Sequence, residues 1–374
     1  MKKPFVYGEL AENENFIDRI EDRQQLKTFL CNGVNVTIIS PRRWGKSSLV
    51  KATMKEIEAE HSDTVACFID AFRLNSEKEF YNAFASAVVN SVATTLDKGM
   101  ELVRSYLKNL SAKFKLKGPF IEVELDLQQK ESPMNVEELL NLPQRLAEEK
   151  GLHVIVCIDE FQKLADFPEW RGMEGMLRSV WQQQQDVTYC LYGSKRHMLM
   201  DIFTNSNKPF YRFGQTLYLQ KIESQYWIDY IVKTFRETGK EISEDNAAMI
   251  CRTMENHSWY VQQFSFFVWA ATDTVATEEI IQRQLQAVLD TNMPVFESET
   301  DSLAASQIAM LRAVADGEQR LNSAEVVRRY SLGAPQTITR NKSVLRRLDI
   351  LEKQGADLVF VDPLYKLWFK RTFC

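Results

Sequence analysis

Ser40-Pro41-Arg42-Arg43-Trp44-Gly45-Lys46-Ser47-Ser48 follows the β-branched run Val36-Thr37-Ile38-Ile39 and opens a helix-like stretch from Ser47 to His61. Gly-Lys-Ser placed between a strand and a helix is the setting of a phosphate-binding loop. Backbone N–H groups at a helix N-terminus point at bound phosphate, and the helix dipole favours negative charge there. In such a loop Lys46 reaches the β- and γ-phosphates and the Ser47 hydroxyl coordinates Mg²⁺, so Ser40, Pro41, Arg42, Arg43, Trp44, Gly45, Lys46, Ser47 and Ser48 are the candidate nucleotide contacts. The pattern G-x-x-x-x-G-K-[ST] asks for glycine where Ser40 stands. If that position requires positive φ, the serine costs roughly 1–2 kcal/mol. The alternative is a strand–helix turn that carries Gly-Lys-Ser by chance.

A second element lies about 110 residues downstream, where Val154-Ile155-Val156-Cys157-Ile158 ends in Asp159-Glu160-Phe161-Gln162. Carboxylates at the end of a buried strand are costly without a metal or partner. With the phosphate loop on the same sheet, Asp159 is placed to hold Mg²⁺ and Glu160 to polarise an attacking water. Adjacent acids at this position favour hydrolysis over transfer to a small-molecule acceptor. Taken alone, the pair reads equally as a strand end with solvated acids.

Further strand candidates are Val65–Ile69, Val187–Tyr192 and Thr216–Leu219, separated by helical sequence. Nearly continuous apolar strands alternating with helices predict an α/β P-loop fold, a buried parallel sheet flanked by helices. Phe120-Ile121-Glu122-Val123-Glu124-Leu125-Asp126-Leu127 alternates apolar and acidic residues, which predicts a half-exposed hairpin inserted at about 115–130. The fourth core strand ends in Tyr192-Gly193-Ser194-Lys195-Arg196. Ser194 is a candidate contact to the γ-phosphate or the attacking water, or else a helix cap.

From Ser224 to Asp290 the sequence reads as helical and aromatic-rich, a small helical subdomain. Pro294 and Glu297-Ser298-Glu299-Thr300-Asp301 read as a linker. Helices over Ser306–Ala315, Ser323–Tyr330 and Pro335–Leu351, then a strand pair including Leu358–Val361, make a winged-helix pattern. The expected division is a nucleotide-binding core over 1–222, a helical lid over 223–293 and a winged-helix domain over 302–374.

Composition is that of a globular protein, with 45% apolar and 26% charged residues among 374. A net charge of −5 excludes a wholly basic nucleic-acid coat. Residues 303–374 carry 12 Lys/Arg against 7 Asp/Glu, however, a local +5 that hints at a polyanionic partner as readily as at a solvated surface. Six cysteines without a CxxC pair suggest neither a disulfide framework nor a zinc site and fit a reducing compartment. No apolar run reaches the ~18 residues of a membrane span, so a cytoplasmic location is expected.

These motifs together resemble the P-loop ATPase domains abundant in archaea and some bacteria, within the AAA+/STAND group. Ser40–Val50 is similar to their phosphate loop, and Ile158-Asp159-Glu160-Phe161-Gln162 to their hydrolytic motif. Phe16-Ile17-Asp18-Arg19 with Arg23-Gln24-Gln25-Leu26 resembles their N-terminal box, and Asn207-Lys208-Pro209-Phe210-Tyr211-Arg212 their Pro-aromatic-Tyr-Arg segment. Asp362–Trp368 resembles the close of their winged helix. The resemblance implies ATP and Mg²⁺ as cofactors, and places Ile17 and Arg19 near the adenine. It implies an arginine sensor or finger at Arg212, with a structural salt bridge as the other role. The family's Gly-x-Pro lid turn is replaced by Asn256–Gln263.

In a winged helix the third helix enters the major groove. Ile338, Leu345 and Leu348 are expected to face the domain core. Gln336, Thr337, Thr339, Arg340, Lys342 and Arg346 are the candidate DNA contacts, and Gln336 or Asn341 the candidate base readers. Double-stranded DNA is one expected partner; a protein partner or self-association is the other. The leading functional expectation is an ATP-hydrolysing switch whose lid and winged helix respond to nucleotide. The alternative is a nucleotide-holding signalling scaffold without turnover, motivated by Ser40 and the altered lid turn.

Overall fold

A computed structural model of the chain describes residues 4–8, 16–95, 112–117, 120–125 and 136–374. They divide into two units, one running from Arg19 to Gln220 and the other made of the residues before Arg19 with Lys221–Cys374.

The first unit contains β1 (Val36–Ile39), β2 (Thr64–Asp70), the hairpin strands β3 (Ala112–Lys117) and β4 (Phe120–Leu125), β5 (His153–Asp159), β6 (Val187–Gly193) and β7 (Gln215–Tyr218). Five of these form one sheet in the order β2-β5-β6-β1-β7. Every neighbouring pair in it is parallel. The apolar runs explain the arrangement: every residue of β1 and β6 is buried, as strands covered on both faces must be. All five strands lie where the sequence reading expects them.

From β1 the chain crosses to β2 at one edge, whereas β6 leads to β7 at the other. The carboxyl end of β1 therefore sits where the connections diverge, the place where open α/β sheets bind ligands. The helix Lys46–Glu60 starts there and buries Leu49, Val50, Met54 and Ile57. The inserted hairpin is antiparallel, with Lys117 opposite Phe120. It lies against the helix Glu77–Thr95, where the Val123 amide donates to Ser86 Oγ (2.9 Å). Parts of the expected hairpin span, 118–119 and 126–130, lie outside the described residues.

The second unit has helices Ser224–Glu237, Glu244–Thr253, Ser258–Ala271 and Glu278–Asp301, with a short parallel pair, β8 (Glu241–Ile242) and β9 (Val275–Ala276). Helices Ala305–Ala315, Ala324–Tyr330 and Pro335–Arg347 come next, then the wing, β10 (Leu351–Gln354) and β11 (Asp357–Phe360), and a last helix Pro363–Phe373. One apolar cluster runs through this unit from Trp227 to Phe369. Phe5 joins it, in contact with the rings of Tyr230 (5.8 Å) and Phe235 (5.9 Å). The described residues before Arg19 thus belong here, not with the core over 1–222.

Three expectations are corrected. The linker at Pro294 and Glu297–Asp301 is instead the second half of the 24-residue helix Glu278–Asp301. Proline removes one backbone hydrogen bond, but packing holds the helical turns beyond it. Phe296 meets Tyr365 (5.4 Å) and Trp368 (5.7 Å). Thr300 Oγ1 bonds the Phe296 carbonyl (2.7 Å) and the Tyr365 hydroxyl (2.7 Å). The third winged-helix helix ends at Arg347, not Leu351, because Asp349 turns left-handed (φ 57°). Leu348 is consequently 48% exposed, and Ile350 and Leu351 fill the core instead. Lastly, Asn341 is fully buried and cannot read a base edge. No described helix is long and apolar enough to cross a membrane.

Candidate nucleotide site

The candidate residues meet at the carboxyl ends of β1, β5 and β6. Between Ser40, where β1 has just ended, and Lys46, where the helix begins, the loop turns twice through left-handed backbone, at Arg43 (φ 63°) and Gly45 (φ 89°). Gly45 adopts it freely. Ser40 does not adopt it, and its Oγ donates to the Pro41 carbonyl (3.1 Å). The serine in place of the first loop glycine therefore carries no left-handed strain; Arg43 does.

Lys46 is buried, and its Nζ donates back to the Pro41 carbonyl (3.4 Å). Burial lowers its pKa, Arg42 adds to the lowering, and Glu160 and Asp159 oppose it. Ser47 Oγ donates to Asp159 Oδ2 (2.7 Å), so the first helical turn and the end of β5 are joined through the pair expected to hold the metal. Burial raises the Asp159 pKa and Glu160 adds to it, against the Ser47 hydrogen bond, Lys46 and the Glu160 amide. A carboxylate in that position is short of positive charge. One hydroxyl and one carboxylate are hard oxygen donors, suited to a cation that keeps waters and phosphate oxygens as its other ligands. No described group of three His, Cys, Asp or Glu forms an all-protein metal cage. The residues present thus fit Mg²⁺ carried in with a nucleotide.

Glu160 follows β5 in left-handed backbone (φ 50°). Its Oε2 accepts from Ser194 Oγ (2.8 Å), from the Ser194 amide (3.3 Å) and from Gln162 Nε2. Arg42 Nε in turn donates to Ser194 Oγ (3.3 Å), so the phosphate loop, the end of β6 and the acid after β5 form one hydrogen-bonded chain. Gly193 makes room for it, since a Cβ there would lie 1.9 Å from Gln162 Oε1. Gln162 and Gly193 were missed as functional residues. Both stand inside the quoted motifs, but only spatial adjacency shows that they belong together.

The other candidates are placed differently. Arg19, left-handed (φ 69°) and 4% exposed, donates to the carbonyls of Gln220 (2.6 Å) and Trp44 (3.2 Å) and pairs with Asp22 (2.9 Å). It braces the loop from behind. Ile17 packs half-buried in the second unit's core. Ser48 and Trp44 are buried in the loop and first turn. Arg212 is exposed and forms no salt bridge among the described residues; its guanidinium lies 5.2 Å from the Tyr211 ring. On the winged helix, Gln336, Thr339, Arg340 and Arg346 are exposed, and Thr337 and Lys342 half-buried. Arg347, not expected, is exposed beside them.

Residues 294–371 match a family model described as "Probable winged helix domain". Solved structures align over almost the whole chain. The Walker-type ATPase of Pyrococcus abyssi is 17% identical with a TM-score of 0.68, over 98% of this chain and 99% of that one. The chain shares this fold, a parallel sheet flanked by helices and followed by a winged-helix domain. The ORC2 protein of Aeropyrum pernix, solved in ADPNP–ADP complexes, is 12% identical with a TM-score of 0.59, over 99% of this chain and 96% of that one. At these identities the likeness is one of fold. Comparison with curated proteins found no match.

Proposed function

We propose that the chain binds ATP with Mg²⁺ and hydrolyses it, as a switch whose nucleotide state governs a helical lid and a DNA-contacting winged helix. The observation that carries the reading is the Ser47–Asp159 hydrogen bond (2.7 Å) beside a buried Lys46, with Glu160 next in the chain. Lys46 leaves the Pro41 carbonyl for the phosphates, and the loop amides before it cradle them. Ser47 and Asp159 would hold Mg²⁺, which would supply charge neutralisation on the phosphate oxygens. Glu160 takes hydrogen bonds from the attacking water and orients it. Ser194 senses the terminal phosphate through the same chain of hydrogen bonds. Arg19 would lie near the adenine, and Arg212, exposed and without a salt bridge among the described residues, would act as a finger or sensor. Within the second unit we read 223–293 as the lid and 302–374 as the winged helix, joined by one continuous helix.

DNA is the partner favoured by the exposed basic face of Pro335–Arg347, where Arg340, Arg346 and Arg347 reach solvent. The test is phosphate release by wild type, Lys46→Ala and Glu160→Gln, with and without duplex DNA. Turnover lost in both variants supports the reading, and stimulation by DNA supports the partner. Tight nucleotide binding without turnover in wild type would replace it with a signalling scaffold.

A further inference from the structure

We infer that Gln162 is a positioning residue for Glu160, fixing one carboxylate oxygen so that the other faces the water. The inference rests on the proposed role of Glu160. Gln162 is 3% exposed, and its Nε2 donates to Glu160 Oε2. The same oxygen accepts from Ser194 Oγ (2.8 Å) and the Ser194 amide (3.3 Å). Three donors more than occupy the two lone-pair sites of Oε2. Oε1 has no hydrogen-bond partner among the described residues, and it is the oxygen left to accept a proton from water.

Two features separate this arrangement from ordinary packing. Gln162 Oε1 is buried without a hydrogen-bond partner among the described residues. An apolar side chain of similar length would avoid that cost, so the amide is retained for what its nitrogen does. Gly193 also leaves this amide its place, because a Cβ there would sit 1.9 Å from Gln162 Oε1 and 3.3 Å from Glu160 Cα, and the glutamine would have to shift. The strand end is thus shaped around the glutamine, and the left-handed backbone of Glu160 (φ 50°) turns its carboxylate into reach of both donors.

The experiment measures steady-state ATP hydrolysis, ADP affinity and melting temperature for wild type, Glu160→Gln, Gln162→Met, Gln162→Glu and Gly193→Ala. Gln162→Met keeps the length and removes the donor. It should melt no lower than wild type and bind ADP within about twofold of it. Its kcat should fall about 10–100-fold, the scale of a misplaced catalytic group. Gln162→Glu donates only when the introduced carboxyl is protonated, so its kcat relative to wild type should rise as pH falls from 8 to 6. Gly193→Ala, which keeps the glutamine but displaces its amide, should lose kcat similarly, and carries the test if Gln162→Met does not fold. Loss of turnover in Glu160→Gln with wild-type kcat in Gln162→Met overturns the positioning role alone, as does a pH-independent ratio for Gln162→Glu. Unchanged turnover in Glu160→Gln, or none in wild type, overturns the role of Glu160 and this inference with it.

Discussion

Lys366 Nζ lies 2.8 Å from Glu255 Oε1, tying the last helix of the winged helix to the turn that precedes the helix Ser258–Ala271. Glu255 and Asn256 are both left-handed (φ 47° and 56°), and Lys221 pairs with the same carboxylate (3.6 Å). Asn256 Nδ2 adds a bond to Ser224 Oγ (2.9 Å). Where a Gly-x-Pro turn was missing from the sequence, a glutamate–asparagine pair makes the reversal. Charge holds it there.

That pairing predicts a pH signature. Burial works to raise the Glu255 pKa, but the hydrogen bond and charge of Lys366, with Lys221, leave it below the usual glutamate value. A depressed carboxylate stabilises the fold above its unfolded pKa, and the contribution disappears as pH falls through the folded value. Lys366→Met should therefore cost about 0.5–1 kcal/mol at pH 7, a partly exposed pair being worth no more. The difference should shrink in denaturant melts as pH falls below the ordinary glutamate range. A constant difference across that range would refute the electrostatic account.

Lys46 is predicted to trade stability for binding. Its pKa is lowered chiefly by burial, so the folded state binds the proton less tightly than the unfolded chain does. Such a group makes stability rise with pH as the lysine deprotonates and costs stability where it stays charged. Lys46→Met should raise the nucleotide-free melting temperature and abolish the rise that ATP and Mg²⁺ produce, worth about 2.7 kcal/mol at a hundred times Kd in wild type. A variant that melts lower without nucleotide would show that Asp159 and Glu160 need the lysine for folding.

Asn341 is fully buried, and among the described residues both its amide atoms lack a hydrogen-bond partner. Unpaired buried polar groups cost about 1–3 kcal/mol. Asn341→Leu should therefore raise the urea midpoint with an unchanged slope. Equal or lower stability would mean that the winged-helix core cannot take the branched side chain.

For DNA, Arg340→Ala and Arg346→Ala should each weaken duplex binding uniformly across sequences. Each should also reduce the slope of log affinity against log salt by about 1, the signature of one lost phosphate contact. Fluorescence anisotropy over a salt series measures both. Slopes unchanged in the two variants would point the winged helix at a protein.

How far the sequence could be read depended on whether the signal was local. The five sheet strands were legible because buried parallel strands are runs of apolar residues, and Lys46, Ser47, Asp159 and Glu160 because their spacing marks strand ends. Pro294 misled, since proline is a local breaker and the contacts that override it, from Phe296 to Tyr365 and Trp368, lie about 70 residues away. Leu348 was put on the core face of a helix read one turn too long, because periodicity does not announce a left-handed Asp349. Ser40 looked strained only because the motif writes glycine there; the left-handed turn falls on Arg43. Gln162 and Gly193 stand 31 positions apart and gain meaning only where β5 and β6 end side by side.

The return of the residues around Phe5 to the second unit has a consequence for the order in which the protein can be made. The Val6 amide donates to Gln262 Oε1, 256 positions later (3.2 Å). A ribosome adding 5–20 residues per second needs roughly 10–50 s to supply that partner. The whole unit from Arg19 to Gln220 emerges in between and can fold first, as domains do during synthesis. Phe5 must wait exposed, and it docks only when the helices carrying Tyr230 and Gln262 arrive.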